Sequence, residues 1–310
     1  MRSRRSQFAS ISSSISTETQ FSLISVPDTQ QENSSQTRTA MFAGRMNWIA
    51  ANRNTLNIKY MVQNGDLTDW DDATHSHYVR ADAGLVTLDN AGVPYALSIG
   101  NHDTAAVQAG GSAAPGNVNQ NLRNTTTWNS YFPLSRYPYI QGVFEANKTD
   151  NAYRTFTAAG RKWLVMNLEF CPRSSVYTWA NTIIQARSDH NVIIVTHYFL
   201  ESNGAISSSN AGYGDTSPQT MYDTIIRPNT NVKFVYSGHV GSWAMNEITS
   251  SVTGHKTYAV SDCWHDYNSN PTRINTYNIP ARTVTSQVFD PLSGTYRSGT
   301  NANFSNVQWV

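Results

Sequence analysis

Short, mostly apolar runs punctuate this chain, and many of them stop at a polar block carrying Asp, Asn or His. Phe21 to Val26 is the first; closed by Pro27, it reads as a buried strand. Ile58 to Val62 and Val93 to Ile99 read the same way. Between them the period changes. Phe42, Met46 and Ile49 recur at helical spacing within residues 38–52, and a second helix is predicted over roughly 76–90. A β-α-β-α-β order of this kind implies crossover connections and neighbouring parallel strands.

Residues 104–150 break the rhythm, with AGGSAAPG at 109–116 and YFPLSRYPY at 131–139. A long connection inside a compact domain is usually functional, so this stretch reads as a loop excursion over a site entrance. Regularity resumes in a hairpin, Ala152 to Phe156 and Lys162 to Leu168, turning at Ala159-Gly160. Residues 174–187 predict a helix with Val176, Trp179 and Ile183 on one face. Val192 to Val195 is a β-branched strand, and a polar loop (199–217) and a short helix near 218–226 lead to the strand Val232 to Tyr236. From Lys256 onward polar and apolar residues alternate, as in Thr283 to Phe289, the sign of antiparallel strands with one wet face. Residues 1–20 are Ser-rich without periodicity and read as a flexible leader; residues 21–310 read as a single domain.

Five blocks carry the candidate chemistry: PDTQ (Pro27 to Gln30), GDLTD (Gly65 to Asp69), GNHD (Gly100 to Asp103), VTH (Val195 to His197) and SGH (Ser237 to His239). Each follows a predicted strand, so each sets its polar residues at a strand's carboxyl end, where α/β sheets gather ligands and catalytic groups. Mixed carboxylate, amide and imidazole ligation suits Zn, Mn or Fe more than Ca. Any one block is weak, because Gly-Asn and Gly-Asp pairs mark turns everywhere. The force lies in their conjunction.

The ordered set resembles the calcineurin-like metallophosphoesterases, over roughly residues 21–290. The resemblance implies a four-layer αββα sandwich of two mixed β-sheets flanked by helices, with a dinuclear centre at one edge. It implies metal-dependent hydrolysis of a phosphomonoester or phosphodiester, the partner being a small phosphoester substrate. Asp66 would bridge two divalent ions (Mn, Fe, Zn or Mg). Asn101, His197 and His239 would complete the second ion's ligands, and Asp28 and Gln30 the first's. A metal-bound hydroxide held at Asp66 would attack phosphorus while His102 protonates the departing oxygen. Asp103 is expected to orient the His102 ring, Asp69 to support its own loop, and Asn101, His102 and Tyr198 to face the substrate.

Two positions depart from the family pattern. Gln30 and Gly241 stand where most members have His. What remains at the first ion, carboxylate and amide oxygen, favours a harder ion such as Mg or Mn, with His255 or His265 as candidates to fill the gap. The same departures leave open a degenerate member that binds metal, phosphate or carbohydrate without turnover.

Composition narrows the rest. The formal net charge is +1 and only 14% of residues are charged, which disfavours a nucleic-acid surface and a nuclease reading. A polar, weakly charged chain suits a secreted protein, although its start lacks the apolar core of a signal peptide. No apolar stretch approaches the roughly 18–20 residues of a membrane span. Cys171 and Cys263 each follow a predicted strand, which allows one disulfide or two free thiols, and without CxxC spacing a cysteine metal site is not expected. His75 and His77, two apart on a helix start, read as surface residues, as does Arg173; Trp179 reads as core.

Overall fold

In the computed structural model, which describes residues 18–310, the first three apolar runs become β1 (Gln20–Val26), β2 (Ile58–Gln63) and β3 (Tyr95–Leu97). The leader expected over 1–20 lies outside the described residues up to residue 17, and Gln20 already belongs to β1. The three strands pair in parallel, joined by α1 (Gln30–Asn33) with α2 (Thr39–Ala51), and then by α3 (Ser76–Ala91). β3 is shorter than Val93 to Ile99 suggests; Pro94 at its start has no N–H to give to the ladder.

Next come α4 (Val118–Leu122), α5 (Thr126–Tyr131), a tight turn at Leu134–Arg136 and β4 (Gly142–Val143). Here the reading of 104–150 as a loop over the site needs correcting. Trp128, Phe132 and Tyr137 are buried in the same cluster as Tyr78, Leu85 and Tyr95, so the aromatic half is core. Their rings meet edge-on or tilted, as at Trp128–Phe132 and Tyr95–Tyr137. The segment's first half does lean on the site: a side chain at Gly111 would lie 3.9 Å from the Trp70 ring and 4.0 Å from His102.

β5 (Ala152–Ala158) and β6 (Arg161–Asn167) form the expected hairpin, turning through Ala159 and Gly160, both at positive φ. α6 (Ser174–Gln185), β7 (His190–Val195), α7 (Pro218–Met221) and β8 (Val232–Ser237) follow. The buried face of α6 is Val176, Tyr177, Ala180 and Ile184; Trp179 and Ile183 sit half-buried at its margin, with Trp179 against Phe144 and Tyr153. The chain ends with β9 (Ser242–Thr249), β10 (Lys256–Cys263), β11 (Thr272–Asn278), β12 (Thr283–Asp290) and β13 (Thr295–Tyr296). β11, β12 and β13 are antiparallel, as the alternation suggests. β10 is not simply so: it pairs antiparallel with β9 but parallel with β8. That parallel pairing carries its final residue, Cys263, to the edge that holds the SGH block.

Two mixed sheets result, β13-β12-β11-β1-β2-β3 and β4-β5-β6-β7-β8-β10-β9. One apolar cluster fills the space between them, a second packs the first sheet against α2 and α3, and a third packs the second sheet against α6 and α7. The order helix, sheet, sheet, helix is the four-layer sandwich. Phe21 lies at the centre of the inter-sheet layer, fully buried, stacked on Tyr277 and edge-on to Trp163, each at 4.9 Å. Phe21→Ala is expected to cost about 3–5 kcal/mol through lost burial and a residual cavity, read as a lower urea midpoint at unchanged slope. Among the described residues no helix is long and apolar enough to cross a membrane.

Candidate metal centre

All five blocks leave strands β1, β2, β3, β7 and β8 at the carboxyl ends, and short bonds tie their loops together. Thr29 donates its N–H to the Asp66 carbonyl at 3.0 Å, and Gly238 to the His197 carbonyl at 2.8 Å. The glycines are needed for closeness: a Cβ on Gly100 would lie 2.1 Å from Asp66 Oδ1, and one on Gly238 2.0 Å from Asp28 Oδ1.

Asp66, His197 and His239 bring one donor atom each to within 4.8 Å of one another. The Asp66 Oδ2 to His197 Nε2 distance is 3.1 Å, and His239 Nδ1 lies 3.2 Å from the same nitrogen. His197 Nδ1 meets the Asn64 carbonyl at 2.8 Å. A carbonyl only accepts, so Nδ1 carries the proton and Nε2 is left to bind, the arrangement usual for a metal-ligating histidine. Burial opposes charge on His197, but Asp66 and Asp28 outweigh it and lift the imidazole to about 9. Burial and then the His197 charge push His239 down to about 3. Burial also works against the Asp66 charge, yet His197 and His102 hold its carboxyl well below the usual range.

The surroundings of His102 differ from expectation. Its ring is not oriented by Asp103. His102 Nδ1 donates to the Asp69 carbonyl at 2.6 Å, with Asp69 Oδ1 at 3.4 Å, while its backbone N–H donates to Asp66 Oδ1 at 3.0 Å. Burial lowers the imidazole, but Asp66 and Asp69 more than reverse this and raise it to about 10. Asp103 instead clamps two loops: it accepts from the N–H groups of Leu67, Thr68 and Gly100 and from the Thr68 hydroxyl. Burial and the nearby Asp66 push its carboxyl up to about 7.

Tyr198 also departs from its expected role. It is buried, its hydroxyl bonds Glu201 (2.6 Å) and Ser207 (2.7 Å), and its ring lies 4.8 Å from that of His239, which it backs. Arg173 is bound by Glu169 and Glu145 and is not a free surface cation. His77 is buried, not exposed: it packs on Trp70 and its Nδ1 accepts that residue's N–H. His75 remains half-exposed beside Asp71.

The first-ion half centres on Asp28, buried at 2% exposure. Its Oδ2 accepts from the His239 N–H at 3.1 Å and lies 3.1 Å from Cys263 Sγ and 3.9 Å from His265 Nε2. Cys263 and Cys171 are both free thiols. His255 is remote from this role, bonded to Thr253 and Thr257. Asp28 Oδ1, Gln30 Oε1 and Asn101 Oδ1 are buried without a hydrogen-bond partner among the described residues. A buried oxygen left so costs about 1–3 kcal/mol. Three of them, in the blocks that adjoin an Asp-His-His cluster, fit divalent ions.

Residues 26–242 match the family model described as calcineurin-like phosphoesterase. The chain belongs to that family. Among curated proteins the chain is similar to the uncharacterized protein YvnB of Bacillus subtilis, 25% identical over 237 residues. The match covers 74% of this chain but 16% of that protein, so the chain spans a small part of its relative's length. Among solved structures it is similar to a dimetal phosphatase from Danio rerio, with a TM-score of 0.58 at 11% identity, covering 92% of this chain and 98% of that one. It is also similar to GAP50, the anchor in the inner membrane complex of Plasmodium: TM-score 0.52, 8% identity, 94% and 90% covered. At these identities the likeness is one of fold.

Three contributors to the site escape sequence reading. Asn64 holds His197 through its carbonyl and joins the sheets through its side chain, bonding Ser25 and the Ser237 carbonyl. Its only signal is that it precedes Gly65. Asp69 orients His102 across a loop, and Cys263 reaches Asp28 only because β10 runs parallel to β8.

Proposed function

We propose that this chain hydrolyses small phosphoesters with two divalent ions held where the five blocks meet. The observation that carries the reading is the Asp66, His197 and His239 cluster, with the partnerless buried oxygens of Asp28, Gln30 and Asn101 in the adjoining blocks. Ions bound there would supply Lewis acidity to the phosphoryl oxygens and a lowered water pKa. The chain's own residues do the rest. Asp66 offers two fixed oxygens, one toward His197 and one pinned by the His102 N–H. With His102 Nδ1 committed to the Asp69 carbonyl, Nε2 is the ring atom free to protonate a departing oxygen.

The test is hydrolysis of p-nitrophenyl phosphate, bis(p-nitrophenyl) phosphate and an alkyl phosphate after loading with Mn, Fe, Zn or Mg. Turnover of the first or second ester decides between monoesterase and diesterase. His102→Ala is expected to lower kcat on the alkyl ester by about 10²–10⁴-fold. The loss should be smaller on p-nitrophenyl esters, whose leaving group needs no proton, with metal content unchanged. Two bound ions and no turnover of any ester would instead support the binding-only reading that Gln30 and Gly241 motivate.

A further inference from the structure

The site keeps too few histidines around Asp28, and the fold supplies other donors. Gly241, where the sequence pattern leads one to look for an imidazole, is exposed, and a Cβ there would meet no described atom within 4 Å. Nothing reaches Asp28 from that position. What does reach it comes from the end of β10. Cys263 Sγ lies 3.1 Å from Asp28 Oδ2 and 3.4 Å from His265 Nε2, and the three donor atoms all lie within 4.8 Å of one another. Donors that share one ion at about 2.0–2.3 Å stand at such separations.

Two further observations point to a ligand. Asp28 Oδ1 and Gln30 Oε1 are both buried with no hydrogen-bond partner among the described residues, in residues 2% and 4% exposed. The cluster also has a supply of order: Asp262, next to Cys263, is locked by Arg273 through two 2.6 Å bonds, so β10's end does not wander.

We infer that Cys263 and His265 are ligands of the first ion, together with Asp28 and Gln30, and replace the imidazoles lacking at positions 30 and 241. The inference rests on the two-ion reading above. On binding, the Cys263 S–H proton that now faces Asp28 leaves to solvent, and the thiolate takes the ion. A thiolate ligand changes the ion expected. Carboxylate and amide alone suit Mg or Mn, whereas sulfur and imidazole select Zn, Fe(II) or Co(II). The two ions then sit in unlike shells, one with sulfur and one without.

Cobalt loading tests this directly. The wild-type apoprotein is expected to take up about two equivalents of Co(II) and to show an intense near-ultraviolet sulfur-to-cobalt charge-transfer band. Cys263→Ser should lose the band and about one equivalent while retaining the ion at Asp66, His197 and His239. His265→Ala should weaken the same ion and keep the band at saturating cobalt. X-ray absorption of the zinc-loaded wild type needs no variant and should show one Zn–S distance near ~2.3 Å. Two bound ions with no sulfur band and no Zn–S shell would overturn the assignment of Cys263 and leave the hydrolase reading standing. No bound ion in the wild type would sink both.

Discussion

Asp66→Asn should leave the protein with neither ion firmly held and with ester hydrolysis at the level of the metal-free protein. Asn has nearly the shape of Asp and can still accept the His102 N–H, which now bonds Oδ1 at 3.0 Å. What it lacks is the second anionic oxygen, the one 3.1 Å from His197 Nε2. A residue that serves two cations must offer charge at both oxygens, and Asp66 stands among His197 and His102, which outweigh its burial and hold its carboxyl below the usual range. Losing several kcal/mol of transition-state stabilisation corresponds to roughly 10³-fold or more in kcat/KM. Elemental analysis and ester hydrolysis read the result together. Thermal melts give an independent check, since ions that bind only the folded chain stabilise it by mass action. Chelator should lower the Tm of the wild type and leave that of Asp66→Asn where it is. A variant that keeps two equivalents and its activity would move the bridge to another residue.

How much of this was legible beforehand divides along a physical line. The strands and their terminal blocks were readable because burial and period act locally: Phe21 to Val26 and Val192 to Val195 could be little else, and each sets its Asp or His at a strand end. Partnerships that close across the sheets were not. Asp103 lies next to His102 in sequence and was the natural choice to hold its ring, yet the turn at Gly100 points its carboxylate at Leu67 and Thr68 while Asp69 reaches the imidazole from another loop. Tyr198 adjoins His197, but its hydroxyl is held by Glu201 and Ser207. Its ring lies 4.8 Å from that of His239, a placement set by tertiary contacts and not by its neighbour in sequence. Cys263 has no second cysteine near it in sequence, a cue that serves for cysteine-only sites and fails where one thiol joins carboxylate and imidazole. The aromatic run at 131–139 looked like a loop because Pro and Tyr interrupt any period. Tertiary packing on α3 and β3 decides its place instead.

Arg273→Met should destabilise the fold by about 3–5 kcal/mol, more than any exposed ion pair could account for. Arg273 stands on β11 in one sheet and Asp262 on β10 in the other, each 1% exposed, joined by two parallel 2.6 Å bonds. The remaining guanidinium nitrogen donates to the Ser286 hydroxyl and the Thr300 carbonyl, so four of the five N–H donors are bonded. Removing the arginine leaves the Asp262 charge buried with nothing to meet it, and that stranded charge is the source of the cost. Restoring neutrality should therefore restore stability: Arg273→Met with Asp262→Leu is expected to recover most of the loss in urea unfolding, a coupling a double-mutant cycle reads directly. Lys162→Ala is the control. It breaks a pair of equal length, 2.6 Å to Asp189, but both side chains are more than half exposed, so the urea midpoint should hardly move. The single variant carries a second signature, because Asp262 precedes Cys263. As β10's end loosens, the ion beside Asp28 should weaken before the one at His197 and His239, and equal weakening of both would mean that the pair supports the fold without aiming the thiol.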